Sequence, residues 1–234
     1  MLSVSSVLFD LDGTLVDPAG AITAGIRYAL RTHGLPDPGE DRVAALIGPP
    51  LHIGLRTLAG VDDANIDQII ATYREQYARQ GMAQSQIYPG ITQLLAQLRD
   101  AGMYLAVTTA KPEPIARQLL EVQGLDSAFD AVHGNRGEVG EHGSSKAHIV
   151  AAAVHRADLD PQSAVVVGDR YYDLEAARDN HIRSIGVRWG FAQGSELAVA
   201  DHVVDDTTEL AALLLGATTP SALKNDVEPQ EGTN

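Results

Sequence analysis

Apolar residues along the chain fall into two kinds of run. Short continuous blocks read as strands covered on both faces: Val7-Leu8-Phe9, the stretch from Met103 to Thr108, Phe129 to Val132, and Ala164-Val165-Val166-Val167. Arg183 to Val187 and His202 to Val204 add two more. Between them, apolar residues recur every three or four positions. That spacing predicts helices over about 90–101, 171–180 and 207–215, and one from near Ser145 onward. Pro112 and Pro114 open a further helix that runs to about 123, where Gly124 ends it. Strands alternating with helices predict an α/β fold with a doubly wound parallel sheet.

The segment 17–85 breaks this alternation. Asp17-Pro18 reads as a helix start, with Asp as N-cap and Pro at the first helical position. Ile22, Ile26, Ala29 and Leu30 follow at helical spacing, until a Gly- and Pro-rich stretch at 34–39 interrupts them. Short helical pieces are expected at about 40–47 and 51–59, on either side of Gly48-Pro49-Pro50. A longer helix over about 63–80 carries Ile66, Ile69, Ile70, Tyr73 and Tyr77 on one stripe. An all-helical stretch of this length far exceeds an ordinary strand connection. It predicts a helical cap domain over 17–85, inserted into a core formed by 1–16 and 86–216. A Gly-rich loop covers 134–143, and the polar stretch 217–234 has no apolar period and is expected to be disordered.

Composition narrows the function. The chain has 234 residues and no cysteine, so disulfides, thiolate metal sites and a cysteine nucleophile are excluded. No run of ~18 apolar residues predicts a membrane span, and the first residues have no basic region of a signal peptide. A cytoplasmic location is expected. The net charge of −14 argues against a nucleic-acid partner but leaves room for a small phosphorylated substrate, because a local cation can reverse the field in a cleft. The expected partner is a small phosphorylated metabolite, with no nucleic acid and no membrane, bound by a monomer or dimer. The eight histidines show no metal-ligand spacing.

The chemistry gathers where the strands end, at the edge on which such sheets bind ligands. The first strand ends in Asp10 and Asp12, followed by Gly13 and Thr14. Two carboxylates beyond a buried strand are costly unless a cation lies between them. The second strand leads to Thr108-Thr109-Ala110-Lys111, the helix after the third begins Ser144-Ser145-Lys146, and the fourth ends in Gly168-Asp169 with Asp173 after it. Asp10 and Asp169 suit a hard cation such as Mg²⁺. The Thr109 hydroxyl, the Gly13 and Ala110 N–H groups and the Lys146 ammonium suit phosphate oxygens. Asp10 could attack phosphorus, and Asp12 could move the proton. Lys111, read alone, is an ordinary surface lysine.

This order resembles the haloacid dehalogenase-like hydrolase superfamily, with its Asp-x-Asp-Gly-Thr, Ser/Thr, Lys and Gly-Asp-x-x-x-Asp motifs. They stand here as Asp10-Leu11-Asp12-Gly13-Thr14, Thr109, Lys146 and Gly168 to Asp173. The resemblance is nearest to the phosphoglycolate phosphatase-like branch, through Tyr88-Pro89-Gly90, Lys111-Pro112, Val167-Gly168-Asp169-Arg170 and the stretch from Ser184 to Gly190. It implies a strand order of 5-4-1-2-3 and a mobile cap. It implies Asp10 as nucleophile, Asp12 as acid/base, and Thr109 and Lys146 on the phosphoryl group. Mg²⁺ would lie on Asp10, Asp169 and the Asp12 carbonyl, with Asp173 near its waters. Aligning Lys111-Pro112 places the phosphate-binding threonine at Thr109 rather than Thr108. Ala110 stands where Ser or Asn is usual, so only its backbone N–H can act. Arg27, His52 and Arg56 are candidate cap contacts to substrate.

The implied function is a Mg²⁺-dependent phosphatase acting on a small, phosphoglycolate-like phosphomonoester. A nucleotidase, a sugar phosphatase or phosphomutase, and a non-catalytic phosphate-binding module remain alternatives. A dehalogenase has no need of Asp12, and a Schiff-base phosphonate hydrolase would need a cap lysine, which 17–85 lacks.

Overall fold

The computed structural model describes residues 4–18, 20–48, 51–135 and 146–216. The expected prolines at 49–50, most of the Gly-rich loop, Ser144-Ser145 and the tail 217–234 lie outside them. Six parallel strands form the main sheet: β1 (Ser6–Phe9), β4 (Tyr104–Pro112), β5 (Ala131–Asn135), β6 (Ala164–Gly168), β7 (Arg183–Val187) and β8 (His202–Val204). Their order is β5-β4-β1-β6-β7-β8. The five strands nearest the centre follow the order expected from the motifs, and β8 extends the edge beside β7. The continuous apolar blocks form the central strands because helices cover both faces. On those faces lie α6 (Ile91–Asp100), α7 (Glu113–Gln123), α8 (Ala147–Arg156), α9 (Tyr171–Asp179) and α10 (Thr207–Leu215). Every residue of β1 and β6 is buried.

Helix boundaries follow local chemistry. Pro112 precedes α7, and Gly124 ends it in the left-handed conformation. The Asp206 carboxylate accepts the N–H groups of Thr208 and Glu209 at 2.8 and 2.9 Å, capping α10.

The helical insert contains α1 (Ala21–Thr32), α2 (Glu40–Ala44), α3 (Leu51–Arg56), α4 (Ile66–Gln76) and α5 (Met82–Gln84). It differs from expectation at three points. Asp17 does not cap a helix. Val16–Asp17 is a short strand, β2, paired antiparallel with β3 (Gln86–Ile87). α1 starts later, after Gly20. The long helix also changes pitch: α4 passes into one π-helical turn at Tyr77–Gly81. A Cβ on Gly81 would lie 2.5 Å from the Tyr77 ring, so glycine makes room for that ring against the turn.

Ile22, Ile26, Leu30, Ile66, Ile69 and Tyr73 join sheet residues such as Phe9 and Val107 in one continuous apolar cluster. Insert and sheet therefore share a core.

Candidate active site

Parallel register brings the strand ends together. Phe9 is level with Val107 on one side and Val167 on the other, so Asp10 follows directly beside Thr108 and Gly168. The Asp10 N–H donates to the Val167 carbonyl at 2.8 Å, extending the ladder one residue past the strand. Lys146, immediately before α8, inserts its ammonium between Asp10 and Asp173 and bonds both carboxylates. Asp173 sits in the first turn of α9 and also accepts the Arg170 N–H at 3.1 Å. Asp169 accepts the Phe191 N–H at 2.7 Å and the Thr14 hydroxyl at 3.4 Å.

The oxygens of Asp10, Asp169 and Asp173 lie within 4.8 Å of one another. Among the described residues, the Lys146 ammonium pairs with two of these three buried carboxylates. Burial, followed by the charges of Asp10 and Asp173, holds the Asp169 carboxyl well above the usual carboxylate range. Burial and Asp10 push Asp173 up to about 6, against the pull of Lys146. Burial alone would favour a neutral Lys146 amine, but Asp10 and Asp173 outweigh it and hold its pKa above the ordinary lysine value. Such an excess of carboxylate oxygen over positive charge fits a hard divalent cation. Asp173, which the resemblance places near the metal's waters, has its carboxylate beside those of Asp10 and Asp169.

The other expected residues are also at this edge, with two differences. Ala110, whose N–H a turn or a helix start would aim at an anion, sits in neither. It lies in the irregular end of β4, where register with β5 shifts between Thr108 and Pro112. Thr109 accepts the Lys111 N–H at 3.2 Å, which leaves its own hydroxyl hydrogen free to donate. The Gly13 N–H is not turned to an anion, because it donates to the Val16 carbonyl at 2.9 Å. Gly13 is needed for space instead. Its φ is +92°, and a Cβ there would overlap the Asp169 carboxylate. Gly13→Ala is therefore expected to displace Asp169 and to destabilise the protein by about 2 kcal/mol or more, read by urea denaturation. An unchanged midpoint would show that this close approach imposes no constraint.

Several contacts were not legible as site features. Lys111 is no surface residue: its Nζ is 2.9 Å from Asp12 Oδ2, and only 7% of its side chain is exposed. The Trp189 indole donates to the Thr14 carbonyl at 3.0 Å, bracing the turn after Asp12. Arg170 ties the edge to the insert. Its guanidinium donates to the Ile47 carbonyl and pairs with Glu196 at 2.7 and 3.1 Å. Arg27 and Arg56, candidates for substrate contact, instead pair at the surface with Asp37 and Glu40, and with Asp63. His52 is exposed.

An acidic pair, a threonine, a lysine and a second acidic pair thus lie along one edge of a parallel sheet, the arrangement of the α/β class that the motifs resemble. The family model described as haloacid dehalogenase-like hydrolase matches residues 7–187, and the chain belongs to that family. Among its relatives, the tyrosine-protein kinase PtkA of Mycobacterium tuberculosis is 38% identical over 187 residues, which is 80% of this chain and 63% of that protein. The chain thus spans less than two thirds of PtkA. A 5'-nucleotidase of Pseudomonas aeruginosa is 32% identical over 212 residues, covering 91% of this chain and 95% of that one. The crystal structure of a predicted phosphatase from Clostridium acetobutylicum superposes with a TM-score of 0.83 at 33% identity, covering 92% of this chain and 100% of that one.

Proposed function

We propose that the protein is a Mg²⁺-dependent phosphatase that hydrolyses a small, phosphoglycolate-like phosphomonoester through a phosphorylated Asp10. The observation that supports this most directly is the buried cluster in which the Lys146 ammonium bridges Asp10 and Asp173 beside Asp169. Asp10, Asp169 and the Asp12 carbonyl would hold the ion, with Asp173 beside it. Bound there, it would neutralise charge on the phosphoryl oxygens.

The chain's own residues do the rest. A carboxylate oxygen of Asp10 attacks phosphorus as the bond to the ester oxygen breaks. Asp12 gives its proton to that departing oxygen. Water then attacks the phosphorus of the acyl phosphate and passes a proton to Asp12. The bond to Asp10 breaks, inorganic phosphate leaves, and both carboxyl groups return to their starting states. The Thr109 hydroxyl, the Ala110 N–H and Lys146 hold the non-bridging oxygens. The helical insert acts as a cap: it excludes bulk water and strengthens every charge at the edge. A cytoplasmic setting and a small phosphorylated metabolite as partner belong to the same reading.

The test is phosphate release from 2-phosphoglycolate, nucleoside monophosphates, sugar phosphates and p-nitrophenyl phosphate, each with Mg²⁺ and with EDTA. Phosphoglycolate leads because of the branch motifs. Nucleoside monophosphates come second because of the nucleotidase relative. Release that needs Mg²⁺ and stops with EDTA is expected. Folded, Mg²⁺-loaded protein that releases phosphate from none of them would sink the reading.

A further inference from the structure

The steps above leave Lys111 without a task, yet its surroundings are among the most specific at the site. It lies at the end of β4, two positions after Thr109. Its ammonium meets Asp12 Oδ2 at 2.9 Å and stands 4.3 Å from the centre of the Tyr77 ring. Tyr77 is 2% exposed and belongs to the π-helical turn of the insert, and its ring stacks on Tyr73 at 5.8 Å. The two oxygens of Asp12 are thus unequal. Oδ2 is held by Lys111. Oδ1 is buried and has no hydrogen-bond partner among the described residues. A buried acceptor left unpaired is expensive unless something outside the chain completes it.

We propose that Lys111 is a positioning residue: seated against Tyr77, it grips Asp12 Oδ2 and so presents Oδ1 to the ester oxygen and then to water. The inference rests on the phosphatase reading and deepens it. The terminal torsion of an aspartate is soft, so a carboxylate held at neither oxygen samples a broad range of orientations. Proton transfer needs one oxygen within hydrogen-bond reach of the reacting group. An ion pair on the far oxygen fixes the rotation without occupying the near one. A compact ammonium can do this while resting on an aromatic face, which adds a cation–π contact. Because Tyr77 comes from the insert, the aim of Asp12 in the sheet domain depends on a side chain of the helical layer.

Leaving-group dependence separates this role from a merely structural one. p-Nitrophenolate departs without a proton, whereas the alkoxide of glycerol 2-phosphate needs one. kcat/KM covers phosphoryl transfer to Asp10 and so isolates that step. Lys111→Met is expected to lose ~10²–10³-fold in kcat/KM on glycerol 2-phosphate and less than ~10-fold on p-nitrophenyl phosphate, the span of general-acid catalysis. Equal losses on the two substrates, or no loss, would overturn the proposal. If Lys111→Met does not fold, as judged by its melting transition, Tyr77→Leu decides, since it keeps both charges. A shift in the substrate ratio of about threefold, the size of a cation–π contact, supports the proposal, and an unshifted ratio overturns it. Wild-type protein that hydrolyses neither substrate would locate the failure in the phosphatase reading, and the proposal would fall with it.

Discussion

Asp10→Asn is expected to abolish turnover, by ~10⁴-fold or more in kcat, while leaving the fold intact. The amide keeps the shape of the side chain but cannot form an acyl phosphate. Its effect on stability should run the other way. Asp10 raises the pKa of both Asp169 and Asp173, so its charge opposes theirs inside the cluster. Removing that charge still leaves Lys146 paired with Asp173. Metal-free Asp10→Asn should therefore melt no lower than wild type. Two measurements check this: phosphate release, and intact-protein mass after an acid quench, where only wild type should carry a phosphoryl adduct. Substantial release by Asp10→Asn would assign the nucleophile elsewhere.

Lys146→Met should do the opposite to stability. It removes the buried ammonium that bridges Asp10 and Asp173, the one cation paired with these carboxylates among the described residues. Breaking a buried pair on one side costs about 3–5 kcal/mol, which urea denaturation would read directly. Added Mg²⁺ should recover part of the loss by replacing the missing charge. Recovery absent at saturating Mg²⁺ would count against a cation site among these carboxylates. Phosphate release should also fall steeply, because the transferring group loses a cationic partner.

The contrast between what was and was not legible in the sequence has a physical basis. Val7-Leu8-Phe9 and Ala164 to Val167 announce buried strands because both sheet faces are covered, so every position is apolar. Pro112 and Gly124 mark α7 because their backbone preferences act locally. Asp17 departs from its local signal for the converse reason. Asp-Pro is a good local helix start, but here Asp17 pairs with Gln86, and no nearby residue reports that partnership. The π-helical turn at Tyr77 depends on an aromatic ring folding over Gly81, a matter of tertiary space. Asp10, Asp169 and Lys146 could be listed from motif order alone. Lys111 could not be judged, because a lysine after a strand is usually solvated and only the depth of Asp12 and Tyr77 makes this one buried. The Gly13 N–H donates to the Val16 carbonyl, a partnership set by how the turn folds back and not by the residue types around it.

The β2–β3 pair has a consequence for how such a molecule can change over time. The chain leaves the sheet at Val16–Asp17 and returns at Gln86–Ile87, and these two short strands are hydrogen-bonded neighbours. Adjacent strands stand about 4.7–4.9 Å apart, so the chain enters and leaves the segment between them through a single narrow joint. A segment whose ends already meet can be lengthened, trimmed or swapped as a cassette without stretching the chain that carries Asp10. New selectivity could thus be acquired by splicing at one place, provided that the replacement still sets an aromatic ring against Lys111 as Tyr77 does.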